Sequence, residues 1–342
     1  MELQVTWFVL WAVLWAVYFM LDGFVIGTGM LHGFLGRSDG ERRVLINTIG
    51  PVWDGNEVWL ITAGGATFAA FPTTYALMFS YLYTALLLLL FALIVRGVSF
   101  EFRSKEESVL WRRSWDYAIP VSSFLLALLF GVAFGNIFAG LPMDATGYHG
   151  SLLYLLNPYG LLTGVLFVLL FMVHGSLYVA IKTTGELSER ARVMTARAWP
   201  ALAAVAVVFL AYTKQATQLY NNYFKAPVLF LIPVAAVAAM IVIRIELTRR
   251  NPHKAFVASC VTVIMIVATG VAGLFPNLIP SSLDPAYSLA IFNTSSSPYT
   301  LKIMTLVVVL FLPIVIAYKI WVYRVFHAPV TVESVLEDKQ SY

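Results

Sequence analysis

The chain has little charge and almost no cysteine. Asp, Glu, Lys and Arg make up 12% of its 342 residues against 60% hydrophobic ones, whereas a typical soluble domain is about a quarter charged. A water-soluble globule is therefore excluded. Cys260 is the only cysteine, so an internal disulfide or thiolate cluster is ruled out and a small buried apolar residue is its expected role. The polar stretches between apolar runs are all short, and no separate aqueous domain is expected. No Lys or Arg precedes the first apolar run, which is too long for the core of a cleaved leader and is expected to stay in the mature protein. No basic tract suits nucleic acid, and no nucleic-acid partner is expected.

Apolar runs are what the chain has in abundance. Candidate spans lie at about 6–34, 52–71, 74–96, 116–139, 159–183, 198–213, 227–248, 255–275 and 301–325. Runs of this kind, ended by charge, Pro or Gly, cross the roughly 30 Å of membrane hydrocarbon. The predicted fold is an all-α polytopic membrane protein, a single transmembrane domain over residues 1–342 with about nine helices. The count falls to eight if the second and third runs, parted only by the turn at Pro72, form a re-entrant hairpin. A faint internal echo, LDGF then GERRV against VHGS then SERARV, suits two four-helix bundles, a pseudo-repeat of 1–139 and 159–275, with an extra helix at 301–325.

Charge sorts the loops. With nine spans, nineteen of the 22 Lys and Arg fall on one side, Arg96 and Lys339 among them, and only Lys214, Lys225 and Lys302 on the other. The basic side is the cytoplasm, which puts the N-terminus outside and the C-terminus inside. The net charge of +4 then reflects topology and lipid headgroups. The loops at 140–158 and 276–300 carry no Lys or Arg. Compact turns at headgroup level are expected there, without a catalytic role.

Function in a bilayer protein concentrates at polar groups inside the spans. Asp22 stands in the middle of the first run; an ionised Asp at a helix centre costs about 2.5–3.5 kcal/mol on insertion scales, so it needs a partner, water or a proton. A protonated, hydrogen-bonded structural residue is the plainer reading. Gly23, Gly27 and Gly29 are spaced for close helix approach. In GPVWDGNEVW, residues 50–59, Asp54 can be explained as a carboxylate in the first turn of a helix opened by Pro51, worth about 0.3–1 kcal/mol. Glu57, three residues on and on the same face, is less well served by that account. With Asp54 at the cytoplasmic mouth and Asp22 deeper in the neighbouring run, the acids suggest a proton path, with Glu57 as a second-rank member.

Of the five histidines, only His174 lies well inside a span; His32, His149, His253 and His327 fall near ends or in loops. A lone intramembrane His reads as a helix-packing hydrogen-bond group rather than a haem ligand. No Cys, His or carboxylate spacing fits a metal, and none is expected. Gly64 and Gly65 lie mid-span and read as close packing, not as a phosphate cradle.

Several stretches then point to a family. GRSDGERRVLINTIGPVWDGNEVWLITAGGATFAAFPTTYA, LDGF in the first run, RSK at 103–105, WD at 115–116 and GVAFGN at 131–136 closely resemble subunit II of cytochrome bd quinol oxidases. The likeness continues through LLNPYGLLTG, KTTGEL, LFPNLIPSS and the final run. It implies a nine-helix subunit paired by pseudo-twofold symmetry with subunit I, in a complex that oxidises quinol and reduces dioxygen to water. It also implies that haem b and haem d belong to subunit I, so that this chain is a haem-free accessory subunit without a complete active site. The resemblance further implies a cytoplasmic proton path through the acids that match Asp54 in WDGN and Asp22 in LDGF. Glu57 stands where some relatives have Gln. A bound structural quinone, as in some members, has no motif here to place it. Lipid or quinone and a small extra subunit are the remaining expected partners, in a bacterial or archaeal plasma membrane. The alternative is a proton-coupled secondary transporter, for which paired membrane carboxylates and weak repeats are also expected, although matching broken helices are lacking.

Overall fold

The computed structural model describes residues 1–337, so Lys339 lies outside the described residues. Helices stand at every apolar run: α1 (Glu2–Leu35), α2 (Asp39–Ile49), α3 (Trp53–Ala70), α4 (Pro72–Tyr81), α5 (Tyr83–Phe102), α6 (Val109–Ala139), α7 (Pro158–Lys182), α8 (Gly185–Ala216), α9 (Tyr220–Lys225), α10 (Leu231–Thr248), α11 (Pro252–Leu274), α12 (Ile291–Thr294), α13 (Pro298–Val325) and α14 (Val332–Glu337). Among the described residues, eight of these helices are long and apolar enough to cross a membrane. The helix α3 is not one of them, because its first turns hold Asp54, Asn56 and Glu57. It nonetheless reaches from one end of the bundle to the other. Asn56 Oδ1 accepts from Tyr323 OH near the end of α13 at 2.9 Å, and Ala70 O accepts from Ser296 N just before α13 begins, at 2.8 Å.

Local sequence sets the helix ends. Ser38 and Glu41 form a capping box that starts α2, and Asn157, followed by Pro158, accepts from Gly160 N at 2.8 Å to start α7. The third apolar run is the one that departs from expectation. It breaks at Leu82 into the short α4, held by Thr74 bonding Thr294 at 3.0 Å, and the long α5. The latter continues through Arg96 to Phe102, so Arg96 is not a loop cation but a wholly buried helix residue. Its charge does not end the span because two acids neutralise it there.

Helices α1, α6 and α7 form the centre. In lipid, helix association rests on close packing and polar bonds rather than on the hydrophobic effect, and glycine supplies the close packing here. A Cβ on Gly27 would collide with the α7 backbone at Phe171 and Gly175, and one on Gly131 with the backbone of Thr163 and Gly164. Gly64 and Gly65 behave otherwise: nothing lies within 4 Å of where their side chains would be. They border an apolar cavity of about 590 Å³ between α1, α3, α5 and α6, so the expected close packing at this pair is not what the structure shows.

The end of the bundle where α13 begins is closed by two small antiparallel hairpins, β1 (Met143–Asp144) with β2 (Gly147–Tyr148) and β3 (Asn277–Ile279) with β4 (Leu289–Ala290), linked by a bridge from Leu141 to Ser281. At the opposite end the chain folds back after α13. Lys182 Nζ donates to Phe326 O at 2.5 Å and to Ala328 O at 2.8 Å, and Val330 N donates to Lys182 O at 2.8 Å. Val335 of α14 is then buried among Leu31, Leu35, Val44 and Val179.

Candidate functional site

The polar centre of the bundle is built on Arg96. Its Nη2 donates to Asp22 Oδ2 of α1 at 2.9 Å and to Glu57 Oε1 of α3, so one guanidinium from α5 joins acids on two other helices. Tyr18, one turn before Asp22, donates its hydroxyl to the same Asp22 oxygen at 3.1 Å. The side chains of Arg96 and Asp22 are fully buried, while that of Glu57 is 21% exposed. Glu57 is thus the member of the trio that reaches the surface. Among the described residues, Asp22 Oδ1 and the Nε and Nη1 groups of Arg96 are buried without a hydrogen-bond partner. Unpaired polar atoms of this kind, deep among apolar helices, are costly and mark a site with spare bonding capacity.

Asp54 is near this trio in sequence but is not bonded into it. It is exposed in a cavity of about 290 Å³ shared with Glu101 of α5 and Lys319 of α13. Gly55 makes room for this arrangement, because a Cβ there would strike Lys319 Nζ. The helix α3 has no side-chain cap, Val52 being its N-cap residue. Of the three acids singled out in the sequence, the structure therefore joins Asp22 to Glu57 and leaves Asp54 as a separate surface group on the turn before.

A second charged network ties the helices at the end where the chain folds back. Asp116 of α6 accepts from His32 Nε2 at 2.8 Å, Arg42 Nη1 at 2.8 Å and Arg103 Nε at 2.6 Å, and Arg103 also donates to Asp39 at 2.8 Å. Arg42, Arg103 and Asp116 come from the stretches GERR, RSK and WD, while His32 and Asp39 lie outside them. Beside them Glu41 bonds Arg190 of α8. Burial opposes the charge on Glu41, but the Arg190 guanidinium and the backbone N–H groups of Arg37 and Ser38 hold its carboxyl below the usual glutamate range.

His174 is packed as a helix-bonding group. Its Nδ1 meets Ser259 Oγ at 2.7 Å, its Nε2 meets Met20 O at 2.8 Å, and its ring stacks on Phe256 at 5.0 Å. Both nitrogens are in use, so the residue does not fit the role of an axial haem ligand. No group of three or more His, Cys, Asp or Glu suited to a metal occurs among the described residues. Arg96, Tyr18 and Asp116 are the residues that sequence reasoning missed. A cation at the edge of an apolar run reads as a boundary, and only the two membrane acids opposite it hint that it lies inside.

Fold and site together define the class: a multi-pass helical membrane protein with an arginine buried between two acids. The sequence matches the family described as cytochrome bd terminal oxidase subunit II over residues 3–326, and the chain belongs to that family. It is 36% identical over 371 aligned positions to "Cytochrome bd-I ubiquinol oxidase subunit 2" of Escherichia coli (strain K12), covering 99% of this chain and 98% of that one. It is 38% identical over 333 positions to "Cytochrome bd ubiquinol oxidase subunit 2" of Bacillus subtilis (strain 168), covering 96% and 97%. Its fold matches a chain of the bd oxidase from Geobacillus thermodenitrificans with a TM-score of 0.80 and 17% identity, over 95% of this chain and 99% of that one. At such low identity this last likeness speaks for the fold. The chain is thus a subunit of an oxidoreductase complex.

Proposed function

We propose that this chain is the haem-free second subunit of a quinol-oxidising complex, scaffolding a haem-bearing subunit I and carrying protons from the cytoplasm toward the site of dioxygen reduction. Nine crossings, with α3 as the ninth, put the basic loops and the α3 mouth on the cytoplasmic side. Haem b and haem d in subunit I supply the electron chemistry; the residues of this chain handle protons.

The observation that carries the proposal is the join between Asp22 and Glu57 through Arg96. Two carboxylates face one guanidinium, so the trio is neutral with one proton shared between the acids and anionic without it. An uncompensated buried charge is expensive; the trio therefore suits a store for a single proton. Arg96 does not pass the proton itself, since a guanidinium is not deprotonated in proteins. It holds the two acids at fixed positions. Asp54, with Glu101 beside it, gathers protons at the mouth; Glu57, partly exposed, takes one inward; Asp22 receives it, with its unpaired Oδ1 able to carry the hydrogen and the Tyr18 hydroxyl steadying Oδ2.

The test is quinol-driven oxygen consumption and proton uptake by the purified complex. Asp22→Asn is expected to slow both by roughly a hundredfold, in the usual range for a lost proton-transfer group, and Glu57→Gln by less, Gln being the residue of some relatives at that position, with the haem spectrum of the complex unchanged in either variant. Wild-type rates in both variants would remove the trio from the path. The isolated chain is expected to show no stoichiometric Soret band; finding one would overturn the haem assignment.

A further inference from the structure

The face that α3 turns into the bundle is not its most apolar one. Asn56, Ala63, Thr67 and Ala70 are buried, while Val58, Ile61 and Phe68 are exposed. Membrane lipid is as apolar as those exposed side chains, so the hydrophobic effect does not choose which face of a helix in a bilayer turns inward; close packing and polar bonds do. Two such bonds tie α3 to α1. Asn56 Nδ2 donates to Leu21 O at 2.8 Å, and Trp11 Nε1 donates to Thr67 Oγ1 at 3.0 Å. They stand ten residues apart on α1 and eleven apart on α3, roughly 15 and 16.5 Å at the helical rise. Together they fix both the rotation and the register of this antiparallel pair.

The first of these bonds lies inside the acid cluster. Leu21 is the residue before Asp22 and Asn56 the residue before Glu57, so a single amide joins the two backbones that carry the acids on Arg96. Asn56 is wholly buried, and its Oδ1 accepts from the Tyr323 hydroxyl of α13 at 2.9 Å. That bond orients the amide with its N–H groups toward Leu21. The need for such a tie comes from Asp54. It stands three residues before Glu57 on the same face of α3, so a slip of α3 by one turn, about 5.4 Å, would carry Asp54 toward Arg96 in place of Glu57 and strip the mouth of its acid.

We propose that Asn56 is a positioning residue for proton transfer, an amide clamp that sets α3 so that Glu57 and not Asp54 meets Arg96 and Asp22. The proposal rests on the proton path described above and adds the group that keeps its acids in place. Asn56 does not carry the proton; it acts through the two bonds of its amide.

The test uses the purified complex, with quinol-driven oxygen consumption per haem followed across pH and the place of Glu57 read by electron cryo-microscopy. Asn56→Leu has a branched side chain of similar outline and Asn56→Ala cannot clash; both lose the two bonds. Each is expected to release the Glu57 carboxylate from Arg96 and to slow turnover by roughly ten- to a hundredfold, the order of loss that follows a misplacement of about 1 Å. The KM for quinol is expected to stay unchanged, and the deficit to deepen as pH rises and protons become scarce. A space-filling role would instead spare Asn56→Leu and lower the rate of Asn56→Ala evenly at every pH. Glu57 still bonded to Arg96 in either variant, wild-type turnover in Asn56→Leu, or a deficit independent of pH overturns the proposal. Should neither variant assemble, Tyr323→Phe decides: it frees the amide to turn, a smaller deficit of the same form is expected, and the wild-type rate at every pH overturns the clamp. Failure of the path itself is read separately, as the wild-type rate in Asp22→Asn.

Discussion

Asp116 and Asp22 both bond arginine inside one helical bundle, yet their surroundings teach different things. Asp116 has both oxygens taken, by His32, Arg42 and Arg103, and its side chain is 10% exposed. Asp22 is wholly buried, shares a single guanidinium with Glu57, and has one oxygen without a partner among the described residues. Three arginines, Arg42, Arg103 and Arg112, face the two acids Asp116 and Asp39, whereas two acids face the single Arg96. A carboxylate held by two arginines and a histidine pins helices together, whereas one with a free lone pair and a competing acid can take a proton without breaking any bond.

The largest effect expected from that contrast follows Asp116→Ala. It strands the buried Arg103 and opens the ties between α1, α2, α5 and α6, at about 3–5 kcal/mol for a broken buried pair. Loss of assembled complex from membranes, read as the amount of intact oxidase recovered, is the expected outcome; normal assembly with failed turnover would reverse the roles given to the two sites. Next comes Arg96→Leu, which leaves two acids that can each bind a proton and become neutral. Its stability cost, about 1–3 kcal/mol for polar groups left unsatisfied, is smaller, so assembled complex with little turnover is expected. Complete failure to assemble would make Arg96 a pin like Asp116.

The smallest effect belongs to Glu41, whose pair with Arg190 ties α2 to α8. Its folded carboxyl is held below the ordinary value of 4.5, so its stabilisation is complete above that pH and is lost as pH falls through the lower folded value. Glu41→Gln is expected to lower thermal stability at neutral pH by an amount in the range of about 0.2–1 kcal/mol for such pairs. The difference from wild type is expected to vanish in strong acid. A difference that persists in strong acid would mean that Glu41 acts through its capping bonds instead.

Much of this was legible in the sequence. Hydropathy located the long helices, and the spacing of Gly23, Gly27 and Gly29 pointed to a close helix approach, whose partner at Gly27, Gly175, only the structure supplies. Asp22 and Glu57 stood out because acids in apolar runs need a reason to be there. Arg96 did not, since the charge that marks a span boundary is the same charge that, opposite two acids, sits inside one. Its partners lie 74 and 39 residues away, and no local pattern records which helix faces which. Asp116 was hidden for the same reason, with His32 84 residues distant. Gly64 and Gly65 misled because a glycine pair that lets helices touch and one that borders a cavity read alike.

The fold-back after α13 has a consequence for the order in which the protein is made. Lys182 leaves the ribosome well before residues 326–335 do, yet those late residues supply the carbonyls that receive its ammonium group and the Val335 side chain that plugs the space beside Leu31 and Val44. Throughout synthesis of α8 to α13 that lysine waits without its final acceptors. The packing beside α1 and α2 thus becomes complete only when the closing segment arrives.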